Sequence, residues 1–192
     1  MKRIFLSALF LIMTIAVFAQ PSFDLGLKGG INVSKMSLEL DDYNSESILK
    51  AHLGAFGRIG FNRLYVQPEV YFSKKGGEID SNPVYMATSF NYDNVDVPLL
   101  LGLEIIKGNA FNLRLMGGPV FSFVTKSAVD GDSEFDPDYF KDNYIGIQYG
   151  LGVDVLMFTI DARMEHANDL YEHPSFSGNG TTFMVTAGIK IF

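Results

Sequence analysis

Apolar and polar residues alternate through almost the whole chain after residue 20. A period of two is typical of a β-strand that has one apolar and one polar face. In the segment 22–34, Phe23, Leu25, Leu27, Gly29, Ile31 and Val33 alternate with Asp24, Gly26, Lys28, Gly30, Asn32 and Ser34. The pattern recurs along the chain and predicts strands at 22–34, 50–62, 64–75, 92–106, 110–125, 142–156, 158–167 and 181–192.

The connections between these strands alternate in length. Short turns are predicted at Asn62-Arg63, at Lys107-Gly108-Asn109 and near Met157. Long loops are predicted at 35–49, 76–91, 126–141 and 168–180. An even strand number with this alternation is typical of outer-membrane barrels, whose short turns face the periplasm and whose long loops face outside. We therefore predict an all-β fold, an eight-stranded antiparallel up-and-down transmembrane β-barrel with short periplasmic turns and long extracellular loops.

Within each predicted strand, the apolar residues occupy every second position, and we call this set of positions the apolar parity. The apolar parity is predicted to face lipid. Phenylalanines occur on this parity at two levels, near the short turns and near the opposite rim. Two such levels are typical of the aromatic girdles of a membrane barrel. The residues are Phe23, Phe61, Phe111 and Phe158 at the first level, and Phe72, Phe121 and Phe123 at the second.

The other parity combines glycine with charges of both signs. Side chains alone fill an eight-stranded barrel, and unpaired buried charges cost several kcal/mol. We therefore expect one hydrogen-bonded network that fills the lumen, and we favour this over a conducting pore. The predicted members are Lys28, Arg58, Glu69, Asp96, Glu104, Arg114, Asp154, Asp161, Arg163, Glu165 and Lys190.

Pro68, Pro98 and Pro119 lie inside predicted strands. Proline cannot donate to the strand ladder and is usually found at sheet edges or bulges. A closed barrel has no edge, so the sequence predicts β-bulges at these three positions.

The first 19 residues have the composition of a secretory signal peptide. Lys2 and Arg3 precede an apolar run that ends in Val17-Phe18-Ala19, which predicts cleavage after Ala19. The remaining chain, 20–192, is predicted to be a single barrel domain in the bacterial outer membrane. Cleavage would lower the formal net charge from −7 to −9, which disfavours nucleic acid as a partner. The chain has no cysteine, so neither disulfides nor thiolate chemistry is expected.

Six motifs are spread along the chain after residue 20. They are Gly26-Leu27-Lys28-Gly29-Gly30-Ile31-Asn32, Val66-Gln67-Pro68-Glu69-Val70-Tyr71-Phe72-Ser73-Lys74-Lys75-Gly76, Val97-Pro98-Leu99-Leu100-Leu101, Gly117-Gly118-Pro119, Tyr149-Gly150-Leu151-Gly152-Val153-Asp154 and Ile160-Asp161-Ala162-Arg163. With these motifs the sequence resembles the PorT-like family of small outer-membrane β-barrels. The resemblance implies a barrel in which strand prolines are normal, and most members have no assigned molecular function. Members linked to protein secretion and gliding are generally longer than this chain. Phe192 is similar to the terminal assembly signal of such barrels, although its parity is inward.

Two polar segments are candidates for a cation site and for a catalytic pair. The loop 130–138 places a carboxylate at every second position, but neither the sharp-turn glycine nor the closing glutamate of an EF-type calcium loop fits cleanly. His173 and Ser175 have the spacing of an imidazole–hydroxyl pair, and this resembles the dyad of outer-membrane lipid A deacylases. We interpret both segments as solvated loops and expect no metal or cofactor. His52 has no second metal ligand at a useful spacing.

Three functions are compatible with these patterns. The favoured hypothesis is a non-enzymatic outer-membrane barrel with a structural or recognition role through its loops. The alternatives are a lipid A-modifying hydrolase, based on His173 and Ser175, and a soluble lipocalin-like carrier whose apolar parity faces inward. The expected partners of the favoured hypothesis are outer-membrane lipid and lipopolysaccharide, and the barrel-assembly machinery during insertion. A protein partner at the extracellular loops is left open.

Overall fold

Eight antiparallel strands close into one barrel. The computed structural model describes residues 21–38, 43–81, 88–130, 142–173 and 176–192. Each strand pairs with the next along the chain, and β1 pairs with β8 to close the cylinder. The predicted fold is therefore confirmed. The strands are β1 Ser22–Leu38, β2 Tyr43–Phe61, β3 Leu64–Ser81, β4 Thr88–Lys107, β5 Phe111–Asp130, β6 Asn143–Val155, β7 Phe158–His173 and β8 Phe176–Lys190.

Most strands are longer than the alternation predicted. β2 already begins at Tyr43, and β7 continues to His173, inside segments that were predicted to be loops. Crossing a bilayer takes about 9–11 residues, so the wall continues beyond the membrane. In these extensions the sequence loses the apolar–polar alternation that marks a strand, although the backbone pairing persists.

Side chains of the apolar parity lie on the outside of the barrel. Leu99 is 45% exposed, whereas its neighbour Leu100 is fully buried. The seven phenylalanines assigned to the two girdles are all exposed. The lipocalin-like alternative is therefore wrong, because it requires the apolar parity to line the lumen. No helix in the part of the chain that the structure describes is long and apolar enough to cross a membrane.

The predicted bulges at the prolines are wrong. Phe56 pairs with Glu69 and Ile59 with Val66 in one unchanged register, so β2 and β3 pass Pro68 without an extra residue. Pro98 and Pro119 pair with Val120 and Ile147 in register. Pro68 and Pro119 face outward and are exposed, whereas Pro98 is buried on the inward side of β4. The strands therefore accommodate the missing proline donors without a shift of register. The register shifts occur instead at Glu46/His52, Asp93/Asn94, Glu104/Ile106 and Ala167/Tyr171.

Two-residue turns join β2 to β3 and β6 to β7 at one end of the barrel. Asn62 and Leu156 open these turns with φ of 59° and 55°. Asparagine tolerates this left-handed conformation, whereas leucine does so at a cost. The chain ends at the same side, where Phe192 packs edge-on against outward-facing Phe23 with 6.2 Å between the ring centroids. The inward orientation predicted for Phe192 is therefore wrong, because β8 ends at Lys190 and strand parity no longer applies.

Candidate functional site

The lumen holds most of the charged residues that parity assigned to it. Glu104 and Lys190 differ, because both lie at the short-turn end. Glu104 pairs with Lys107 at 3.0 Å, next to the bulge at Ile105, rather than with the lumen residues. Lys190 Nζ lies 3.7 Å from Asp154. The other nine are buried: Lys28, Arg58, Glu69, Asp96, Arg114, Asp154, Asp161, Arg163 and Glu165.

A lower charged cluster fills the half of the lumen nearer the short turns, and Glu69 is at its centre. The two terminal nitrogens of Arg163 donate to the two Glu69 oxygens at 2.8 and 3.0 Å. Lys28 forms an ion pair with the same carboxylate. Gln67 donates to it at 2.5 Å. Glu69 therefore neutralises cations from two other strands, β1 and β7.

Alternating charges extend this lower cluster across the barrel. Arg163 also donates to Asp161 at 2.5 Å. Arg114 lies 2.7 Å from Asp161 and 2.9 Å from Asp154. Arg58 in turn donates to Asp154 at 2.7 Å. The cluster thereby links β1, β2, β3, β5, β6 and β7 through buried ion pairs.

An upper charged cluster is built around Lys75 towards the opposite end. Lys75 Nζ lies 3.0 Å from Asp96 and forms a second ion pair with Glu165. Ser73 and Ser122 each donate to Asp96 at 2.5 Å. One cation therefore lies between two carboxylates, and the two serine hydroxyls hold the carboxylate of Asp96.

A neutral layer separates the two clusters. Gln148 donates to Glu165 at 2.7 Å and to the Tyr71 hydroxyl. Met184 packs beside both side chains, with its sulfur 4.0 Å from the Tyr71 oxygen. Lys28 Nζ lies 5.0 Å from the centre of the Tyr71 ring. Within the described residues no ion pair joins the clusters, so the single network that we expected is divided in two.

The sequence interpretation missed several lumen residues. Gln67, Tyr71, Ser73 and Lys75 all lie on the parity of Glu69, and all are buried. Strand parity was the available signal, but the prediction counted only some of the charged residues. Tyrosine, glutamine and serine fill the lumen as well, because each can satisfy a charge by hydrogen bonding.

The remaining candidate chemistry is not assembled in the described part of the chain. His52 is buried, and its ring nitrogens contact the side-chain amide oxygen of Asn32 at 2.5 Å and the Thr186 hydroxyl at 2.8 Å. No group of three or more metal-binding side chains occurs among the described residues. Ser175 and most of the acidic loop 130–138 lie outside them, so the proposed dyad and cation site are not described.

A family model described as outer membrane protein beta-barrel domain matches residues 18–167. The chain belongs to this family. The protein is therefore located in the bacterial outer membrane, and its apolar outer wall contacts lipid. None of the curated proteins compared with the chain matches it.

Solved structures share the architecture of this outer membrane protein beta-barrel domain at low identity. OprG from Pseudomonas aeruginosa is 13% identical with a TM-score of 0.55, and the match covers 91% of this chain and 98% of OprG. Neisserial surface protein A is 11% identical with a TM-score of 0.51, and the match covers 87% of this chain and 97% of that protein. At such identities the likeness shows the fold alone.

Proposed function

We propose that this protein is a non-enzymatic barrel with a sealed lumen, and that its structural or recognition role is performed by the extracellular end. One observation carries the proposal. Arg114, Arg163 and Lys75 are among the largest fully buried side chains, and each reaches across the lumen to carboxylates on other strands. These cations are committed to neutralising carboxylates, which supports a structural role for them.

We further propose that the barrel belongs to the PorT-like branch of its family. The motif around Pro68 supports this assignment, because it places Gln67 and Glu69 in the lumen on either side of an outward residue. Asp161 and Arg163 of a second motif meet Glu69 there. The sequence motifs behind the resemblance thus supply central residues of the lower cluster, and the motif around Pro68 also supplies Lys75 of the upper cluster. Insertion by the barrel-assembly machinery and a protein partner at the extracellular loops stay predictions.

Single-channel recording tests the sealed lumen. The full chain, refolded in detergent, should migrate faster on a denaturing gel without boiling than after boiling. We expect it to produce no discrete conductance steps in a planar bilayer. A double variant, Glu69→Ala with Arg163→Ala, removes the centre of the lower cluster and should admit water and raise ion leakage. Regular conductance steps from the heat-modifiable wild-type protein would contradict a sealed lumen.

A further inference from the structure

A groove of about 380 Å³ opens on the outer wall where β2, β3, β4 and β5 pass one another. Its lining residues include Ala51, Leu53, Phe72, Lys74, Asp93 and Thr125. Most of these side chains belong to the outward parity, and Leu53 and Phe72 are 69% and 70% exposed. The groove therefore faces the bilayer rather than the lumen.

Two irregularities of the strand ladder shape the groove. Regular pairing of β2 with β3 stops between Glu46 and His52, where five residues of β2 face four of β3. The carbonyl of Lys74 lies in this gap and accepts a hydrogen bond from Asn32 Nδ2 at 3.2 Å. On the other side, Thr125 is an extra residue of β5, and its hydroxyl donates to the Asp93 carbonyl at 2.9 Å. The groove therefore lies where regular strand pairing is interrupted on both of its sides.

The extra residue also changes which side chains face lipid. Asn94 pairs with Val124, but Asp93 pairs with Lys126, so the alternation on β5 shifts by one residue at Thr125. Lys126 consequently lies on the outer face, directly across from Asp93. On the other flank Lys74 also pairs with Asp93, with Nζ and Oδ2 3.8 Å apart. Two lysines therefore flank one aspartate, a local positive excess in a chain whose formal net charge is −7.

The height of the groove matches the outer boundary of the membrane. β3 begins at Leu64, and Lys74 lies ten residues further along the strand. At about 3.3 Å per residue and a tilt of about 40°, Lys74 stands about 25 Å above the short turns, which is the height of the apolar band. Below Lys74 lies one apolar row of side chains that pair across neighbouring strands: Leu53, Phe72, Val95 and Phe123. The charged rim thus lies at headgroup level and the apolar row at acyl-chain level.

We propose that this groove is a binding site for lipopolysaccharide. An acyl chain packs on the outer surface of Leu53 and Phe72, and a phosphate of the lipid contacts Lys74 and Lys126. The charge of the rim favours this ligand over a zwitterionic lipid, because Asp93 balances only one of the two lysines. The proposal depends on the outer-membrane location of the barrel, not on its sealed lumen.

Titration of the refolded full chain with lipopolysaccharide, followed by native mass spectrometry, tests the phosphate contact. We expect one saturable lipid per barrel. Lys74→Gln with Lys126→Gln should weaken binding by about tenfold, and dephosphorylated lipopolysaccharide should bind the wild-type protein as weakly. Lys107→Gln is the matched control, because it removes an exposed lysine at the periplasmic rim and should bind normally.

A second pair of variants tests the apolar part of the groove. Ala51→Phe fills it and should weaken binding, whereas Ala162→Phe enlarges an exposed alanine on β7 and should not. Retained heat-modifiable migration verifies that each variant folds. Equal binding by all variants, or equal binding of the dephosphorylated lipid, would overturn the proposal. A wild-type dimer that Ala51→Phe dissociates would show that a second copy of the chain occupies the groove instead, and would also overturn it.

Discussion

Tyr65 lies against Gly102, its partner across β3 and β4, so closely that a Cβ atom on residue 102 would be 1.9 Å from the ring carbon that bears the hydroxyl. The ring is buried, and the Tyr65 hydroxyl accepts a hydrogen bond from Arg114 at 3.3 Å. The guanidinium of Arg58 lies 5.1 Å from the centre of the same ring. Because Gly102 on β4 has no side chain, the ring of Tyr65 has room to pack beside two arginines of the lower cluster.

The first prediction concerns this contact. Gly102→Ala should lower the free energy of unfolding by about 2 kcal/mol, because the ring must leave its place beside the arginines. Urea unfolding of the refolded barrel measures the change. Gly57→Ala is the matched control, since its Cβ would meet Leu25 and Pro68 only at 3.5 and 3.9 Å. Equal losses in the two variants would contradict the packing argument.

The second prediction concerns the lower cluster. Glu69→Gln leaves Lys28 and Arg163 with an uncharged partner inside the lumen and should cost about 3–5 kcal/mol of stability. Asp93→Asn breaks the exposed ion pair with Lys74 and should cost less than about 1 kcal/mol. Urea unfolding of both variants provides the comparison. Adding Lys28→Gln to Glu69→Gln should cost less than the sum of the two single changes, since the unpaired cation is removed.

The third prediction concerns the turn between β6 and β7. Leu156 has a φ of 55° and an exposed side chain. Leu156→Asn should raise the free energy of unfolding by about 1 kcal/mol, because asparagine adopts this conformation more readily. Met157→Asn, at the other position of the same turn, should bring no such gain. Unchanged stability of Leu156→Asn in urea titration would show that the turn is not strained.

The fourth prediction concerns the orientation of the wall. The chain has no cysteine, so a single introduced thiol can be followed without background. Leu99→Cys should react with a lipid-soluble maleimide in refolded vesicles, because Leu99 faces outward. Leu100→Cys, next to it and directed into the lumen, should react only after unfolding. Rapid labelling of residue 100 in the folded barrel would reverse the assignment of the two faces.

The number of strands, their order and the side of the wall on which each side chain lies were predictable from the sequence. They follow from the alternation of residues within each strand, which needs no contacts between distant parts of the chain. The apolar parity holds from Phe23 to Ile189, and its residues face outward wherever lipid contact demands it. The strand ends were not predictable, because the two-residue period of apolar and polar residues is not kept in these parts of the sequence. The bulges were predicted at the wrong places. Proline loses one donor without shifting the register, whereas an extra residue such as Thr125 leaves no mark in composition.

The candidate sites depended more strongly on the fold. Parity assigned Glu69 and Arg163 to the lumen, but their pairing joins β3 with β7, strands that lie on opposite sides of the barrel. The division into an upper and a lower cluster arises from Tyr71, Gln148 and Met184, uncharged residues that the charge pattern cannot reveal. The groove at Lys74 and Lys126 requires a one-residue shift on β5, so alternation alone would turn Lys126 towards the lumen.

The alternation of apolar and polar residues is sufficient to predict a closed barrel, its lipid-facing surface and its charged interior. These follow from the two-residue period of a strand and from the exclusion of unpaired backbone groups from lipid. Which cation neutralises which carboxylate, and where the outer wall opens into a groove, depends on how the eight strands come together in the folded barrel. Those contacts join residues from strands far apart in the chain, and closure of the barrel sets their distances.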